Sequence, residues 1–305
     1  MTTQQLPAKE AQAQYSADKR KLVALAIAAA RRAWQMRDMQ TLAGTLGALQ
    51  FLLANRSLQA LVEGLDEQGI EAPARHEVIP SSLGGISMLG MPMVDRLGFA
   101  NTESQLIRAT LTEMADTGRA ATQLGIAVRP SLEGYIRYLN PPSCARCAIL
   151  AGKVYRWSTG FDRHDNCDCE MVPVSDMSEV PDSALFSAEE AFESGQIGTW
   201  RYKRDENGKP IPGTKRWEPG LSKADAQAVR DGASMSSVVN VRQRAQGLVV
   251  AGYHNTPEVM TRPGTKNERR YDGYRDKWMP SAIYRMAKGD RDEALRLLLR
   301  FGYVR

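Results

Sequence analysis

Apolar positions recur every three to four residues through the first 126 residues, and that period predicts three long helices. Over 8–39, Leu22, Leu25, Ala29, Ala33 and Met36 recur at this spacing in a stretch dominated by Ala, Leu, Lys, Arg and Gln. A second helix is expected over 42–67, capped by Thr41, with Leu42, Leu46, Leu49, Leu53 and Leu61 as its stripe. Gly44 and Gly47 lie close to that stripe and would let another helix approach. Pro73, Pro80, Gly84-Gly85, Gly90 and Pro92 then break the pattern, so 69–100 reads as a long connection, with Met88, Leu89, Met91 and Met93 apolar within it. A third helix follows over about 103–126, capped by Thr102 or Asn101, with Leu106, Leu111, Met114 and Ala121 inward.

Beyond Arg129-Pro130 the period changes. Tyr135 and Tyr138, within 132–140, suit a short strand or a helix, and periodicity does not choose between them. Residues 152–157 alternate polar and apolar and predict a strand, closed by a turn at Ser158-Thr159-Gly160. An acidic linker at 175–183 leads to a helix at about 187–194, begun by Ser187. The polar stretch 201–220, with Asn207-Gly208 as its turn signal, predicts an exposed hairpin or loop. Short helices are expected at 221–232 (Ser222 cap, Gly232 stop) and 234–241. A basic, loop-like stretch at 255–277 precedes small helices at 280–288 and 291–301, the last carrying Leu295, Leu298 and Leu299 on one side. No long repeat occurs. The expected class is α+β, mostly α. It comprises a helical half (1–130), a small Cys/His-stapled α+β module (131–200) and a helical, loop-rich basic region (201–305).

Composition adds two points. No run of about 18 apolar residues occurs, so no membrane span is expected. No signal peptide is evident either, which points to synthesis in a reducing cytoplasm. The net charge of +5 is unevenly placed: residues 1–200 carry 18 basic and 23 acidic side chains, and 201–305 carry 22 and 12. A basic final third fits an anionic partner, and DNA is the usual one. The alternative is a solvated surface.

All four cysteines lie between 144 and 169, with His164 among them. Cys144-x2-Cys147, sixteen residues, then His164-x2-Cys167-x-Cys169 supplies two groups of soft ligands separated by a strand-sized excursion. Zinc takes four such ligands in a tetrahedron, so Cys144, Cys147, His164, Cys167 and Cys169 are five candidates for four places. Two disulfides, or reduced structural cysteines, are the competing readings. No His-Glu-x-x-His helix accompanies the cysteines, which favours structural over catalytic zinc. A Cys144 or Cys147 nucleophile with His164 as base can be drawn. Phosphate-binding, dinucleotide and kinase signatures are absent.

Residues 221–241 can be drawn as a DNA-reading helix-turn-helix with its turn at Asp231-Gly232-Ala233, or as a plain packed helical pair. Arg201, Lys203, Arg204, Arg242, Arg244, Arg269 and Arg270, interleaved with Tyr202, Trp217 and Tyr271, form a candidate phosphate-binding set.

Cys144-Ala-Arg-Cys147-Ala-Ile-Leu-Ala-Gly152, Tyr155-Arg-Trp157, Gly160-Phe161 and Arg163-His164-x-x-Cys167-x-Cys169 together resemble the signature of the phage Mu F-like minor head proteins. The resemblance is to the versions found in tailed phages of actinobacteria. The run from Gly220 to Ala233, the segment Val238–Arg242, and the ending from Met279 to Leu298 also resemble that group, so the likeness covers 135–305. It implies a virion component near the portal in the head interior. Such a component helps procapsid assembly beside the major capsid or scaffold protein and touches phage DNA. Relatives also carry the label of capsid maturation protease, which makes proteolysis the alternative function. One departure is Asp165, where many relatives have Pro after the histidine. It adds a negative charge beside the candidate zinc site and removes no ligand.

Overall fold

The structure is a computed structural model; it describes residues 8–139, 143, 147, 154–160, 169–178, 198–201, 203, 205–207, 211, 214, 216–219, 283, 284, 286–300 and 304. The expected helices at 187–194 and 221–241 lie outside these residues. As expected, the described chain is mostly α with a small antiparallel sheet.

Helices α1 (Lys9–Met36) and α2 (Met39–Gln68) form an antiparallel hairpin. Its turn is two residues long. Arg37 takes a left-handed conformation and returns its N–H to the Ala33 carbonyl. Asp38, not Thr41, caps α2: its carboxylate accepts from the Thr41 N–H at 2.9 Å. At the far end Glu67 of α2 accepts from the N–H groups of Glu10 and Ala11, satisfying the orphan donors that open α1. The large apolar residues of α1 do not mark its buried face. Leu25 is 57% and Met36 68% exposed, while Ala11, Tyr15, Ala26, Ala30 and Ala33 are buried. Alanines let α1 lie close against α2. The stripe of α2 is buried as its period predicts, from Leu42 to Leu61.

The connection after α2 is ordered by two side chains. Gln50 accepts from the Gly85 N–H and donates to the Ile86 carbonyl and the Thr117 hydroxyl. Glu113 accepts from the Ser87 hydroxyl, the Met88 N–H and Arg96 Nε. Between them the chain makes a 3₁₀ turn (Pro80–Leu83) and the short helix α3 (Met93–Gly98), burying Leu83, Ile86, Met88, Met93 and Leu97. A Cβ on Gly47 would stand 3.1 Å from Gly85 Cα, so Gly47 permits a close approach, by this connection rather than by a helix. Gly44 faces nothing within 4 Å.

Helix α4 (Glu103–Ala127), capped by Thr102, is the central element. From Thr112 to Ala127 all but Ala120 of its residues are buried, polar and charged ones included. It packs against α1, α2, α3 and the sheet. The sheet has the order β2-β1-β3, all antiparallel, from β1 (Gly134–Tyr138), β2 (Val154–Arg156) and β3 (Glu170–Val174). Strand, not helix, is therefore the state of the two-tyrosine segment. Strands β4 (Gly198–Arg201) and β5 (Arg216–Pro219) pair as the hairpin expected over 201–220. Helix α5 (Arg291–Arg300) buries Leu295, Leu297 and Leu298, while Leu299 is exposed. One hydrophobic core includes Ala54, Leu124, Tyr135, Cys147, Trp157, Cys169, Leu298 and Val304, so it draws on all three expected regions.

Candidate functional site

Two elements position the cysteines that the structure describes. Cys169 immediately precedes β3, whose register sets Glu170 opposite Tyr138 of β1. Cys147 follows β1 in the chain, and its Sγ lies 3.7 Å from a terminal nitrogen of Arg137 on β1. Both residues are buried in the same core as Trp157. Cys144, His164 and Cys167 lie outside the described residues.

Charge is concentrated around these two residues. Arg137 is buried on β1. Arg119 of α4, also buried, donates to the Cys169 carbonyl at 3.1 Å and to Asp116. Glu170 pairs with Lys19 of α1, with the two side chains only 2% and 7% exposed. Arg119, Lys19 and Arg137 thus approach from three elements, answered by Asp116 and Glu170. Buried guanidinium and ammonium groups require anionic or carbonyl partners. Tyr15 completes this seam: its hydroxyl meets Ser57 Oγ at 2.9 Å and presses on Gly118, where a Cβ would lie 2.6 Å away. Burial first, then the nearby Glu170 charge, pushes the Tyr15 phenol well above its ordinary range.

The other end of the module is aromatic. Tyr135 and Tyr155 stack at 5.5 Å. Trp157 meets Tyr284 edge-on at 5.7 Å, and Arg291 of α5 lies 4.7 Å above the Trp157 ring while donating to the Arg129 and Leu132 carbonyls. The motif residues between the cysteine pairs therefore pack the last helix onto the sheet. Sequence reading missed Arg119, Arg137, Lys19 and Arg291. Their only signal was charge amid apolar neighbours, which marks burial only once the fold is known.

Zinc requires several converging ligands. Among the described residues no group of three or more His, Cys, Asp or Glu side chains converges as a metal set. The described residues place two soft sulfur donors, Cys147 and Cys169, in one core. A recess between α3 and α4, lined by Arg96, Phe99, Gln105, Arg108 and Thr112, holds no nucleophile–base pair.

Of the candidate phosphate-binding residues, Arg201 ends β4, and the register sets it opposite Arg216 of β5. Lys203 follows, exposed, with its N–H bonded to Thr214 Oγ1 and its carbonyl to the Ile211 N–H. Arg204, Arg242, Arg244, Arg269 and Arg270 lie outside the described residues. Arg216 joins the set through strand pairing, which linear spacing did not reveal.

No family model, curated protein or solved structure matches the chain.

Proposed function

We propose that this chain is a structural minor head protein of a tailed phage, sited near the portal in the head interior. There it assists procapsid assembly beside the portal and the major capsid or scaffold protein. The observation that carries the reading is the burial of Cys147 and Cys169, one from each half of the motif, in one core with Trp157. A motif committed to the core acts by holding elements together, and this one lies between the helical front and the basic hairpin. Its residues match those quoted for the Mu F-like resemblance. We assign the cysteines and His164 to a structural zinc site drawn from Cys144, Cys147, His164, Cys167 and Cys169. The hairpin carrying Arg201, Lys203 and Arg216 is assigned to DNA contact, since Lys203 and Arg216 are exposed and cations favour phosphates.

Mass spectrometry of procapsids and mature particles tests the placement; absence from both overturns it. Metal analysis of purified protein should find one zinc per chain, and Cys147→Ser should lose it together with thermal stability. Metal-free protein with an unchanged melting temperature in the variant would remove the zinc assignment. Coexpression with the major capsid protein should leave that protein's N-terminus intact. A shortened N-terminus, abolished by one Cys, His or Ser substitution, would instead establish the maturation-protease alternative.

A further inference from the structure

The outer face of α2 differs from the rest of the surface. Its exposed positions from Thr41 to Val62 include Ala48, Phe51, Leu52, Asn55 and Gln59, and none is charged. Phe51, Leu52 and Val62 are 42%, 50% and 42% exposed. In a chain that is 25% charged, six turns of helix surface without a charge call for a cover. The nearest charge, Arg56, is already bound at the rim by Asp18 and Glu63 of the same chain. Charge returns only at the two ends, with opposite sign. Arg32 and Arg37 are exposed around the start of α2, where Arg31 is already answered by Glu103, and Asp66 and Glu67 are exposed at its finish.

We infer that this face binds a second copy of the same chain, α2 against α2, antiparallel about a two-fold axis passing between Phe51 and Leu52. That axis sets Phe51 against Leu52 of the second copy, Ala48 against Asn55, and Gly44, open on its outer side, against Gln59. The small residues at 44 and 48 thus meet the longer polar side chains at 59 and 55, so neither pair crowds the contact. The axis also sets Arg37 against Asp66 at both ends, so each basic start meets an acidic finish. A parallel arrangement would oppose like charges and align the helix dipoles, both unfavourable. An isologous contact requires a surface complementary to itself, which an uncharged centre with reversed ends provides. The stripe is roughly 33 Å long at the helical rise. One helix-on-helix contact of that length lies at the low end of specific interface sizes, so association is concentration-dependent and of about micromolar strength.

Sedimentation velocity of the purified full chain in reductant, from about 1 to 500 µM, should show a monomer–dimer equilibrium. Leu52→Glu places two carboxylates at the centre and should weaken dimerisation at least about tenfold; Asn55→Arg reads the same surface independently. Arg37→Glu and Asp66→Arg should each weaken it by about three- to tenfold, and the two together should restore it to within about twofold. Circular dichroism confirms that each variant is folded. A monomer throughout, a dimer indifferent to Leu52→Glu and Asn55→Arg, or a double reversal that fails to restore binding overturns the inference.

Discussion

Gly134→Ala isolates what the small sheet contributes. Gly134 sits mid-sheet, paired with Arg156 of β2 on one side and Val174 of β3 on the other. A Cβ there would fall 2.1 Å from the Tyr155 carbonyl oxygen and 3.1 Å from Met177 Sδ. The first obstacle is backbone, which cannot rotate aside as a side-chain tip can. Ordinary contact distances are about 3.5 Å, so β2 must retreat by more than about 1 Å. Retreat breaks the short β1–β2 ladder, the Trp157 N–H bond to the Glu133 carbonyl at 3.1 Å, and the Tyr135–Tyr155 stack. Two to three hydrogen bonds at about 1 kcal/mol each and a stack of about 1 kcal/mol give a loss of about 3–4 kcal/mol. For a chain of this size that is a fall in Tm of roughly 6–15 °C. Thermal melts followed by far-UV circular dichroism and tryptophan fluorescence measure it. Gly44→Ala is the control: nothing lies within 4 Å of its Cβ position, and alanine should raise helix stability by about 0.5–1 kcal/mol. A Gly134→Ala Tm within about 2 °C of the parent, or equal losses for both alanines, would refute the steric argument.

Other perturbations address the buried charges. Lys19→Met removes the cation paired with buried Glu170 and should cost about 3–5 kcal/mol, whereas Lys19→Met with Glu170→Leu should cost much less than the sum of the single changes; urea unfolding of the four proteins in the cycle measures the coupling. Burial, reinforced by the Asp116 charge, raises the Glu113 carboxyl above its usual 4.5 despite the opposing pull of Arg96. A raised folded pKa means the native state holds the proton longer. The contribution of Glu113 is therefore complete below about pH 4.5 and lost as pH rises through the folded value. Glu113→Gln should flatten that decline, whatever its constant offset from losing an acceptor, and urea melts at several pH values between about 4 and 8 read the difference in slope. Arg291→Lys keeps the charge but loses the fork that spans the Arg129 and Leu132 carbonyls. It should cost about 2 kcal/mol and shift the Trp157 fluorescence as α5 loosens.

The sequence made α2 legible because its leucines repeat with the helix period and one face of it is buried. The same reasoning misplaced the inner face of α1. Leu25 and Met36 are large and correctly spaced, yet the contact with α2 needs small residues, so alanines took the interior. Helix α4 defeats an amphipathic reading altogether. Thr110, Glu113, Asp116, Thr117, Arg119 and Gln123 are buried because elements enclose the helix, and all but Thr110 find a polar partner. The cap at Asp38 was missed because Thr41 is an equally good capping type three residues on. The cysteine spacing offered a zinc site, disulfides or reduced cysteines; the structure places Cys147 and Cys169 in one core. The buried cations near them, Lys19, Arg119 and Arg137, come from α1, α4 and β1, and no local pattern links those positions.

Val78 and Val304 form an antiparallel bridge, and Ile283, Tyr284, Leu295 and Leu298 complete the core around Leu124 and Trp157. On the ribosome this imposes an order of events. The α1–α2 hairpin can form as it emerges, but the surface that α5 covers stays open to water until residues near 300 have been synthesised. Through most of translation the nascent chain is a set of finished helices around an unfinished interior, the state in which chaperones and proteases compete for it. A premature stop a dozen codons before Val304 would leave nearly all the secondary structure in place. It would still yield a protein that is cleared rather than used.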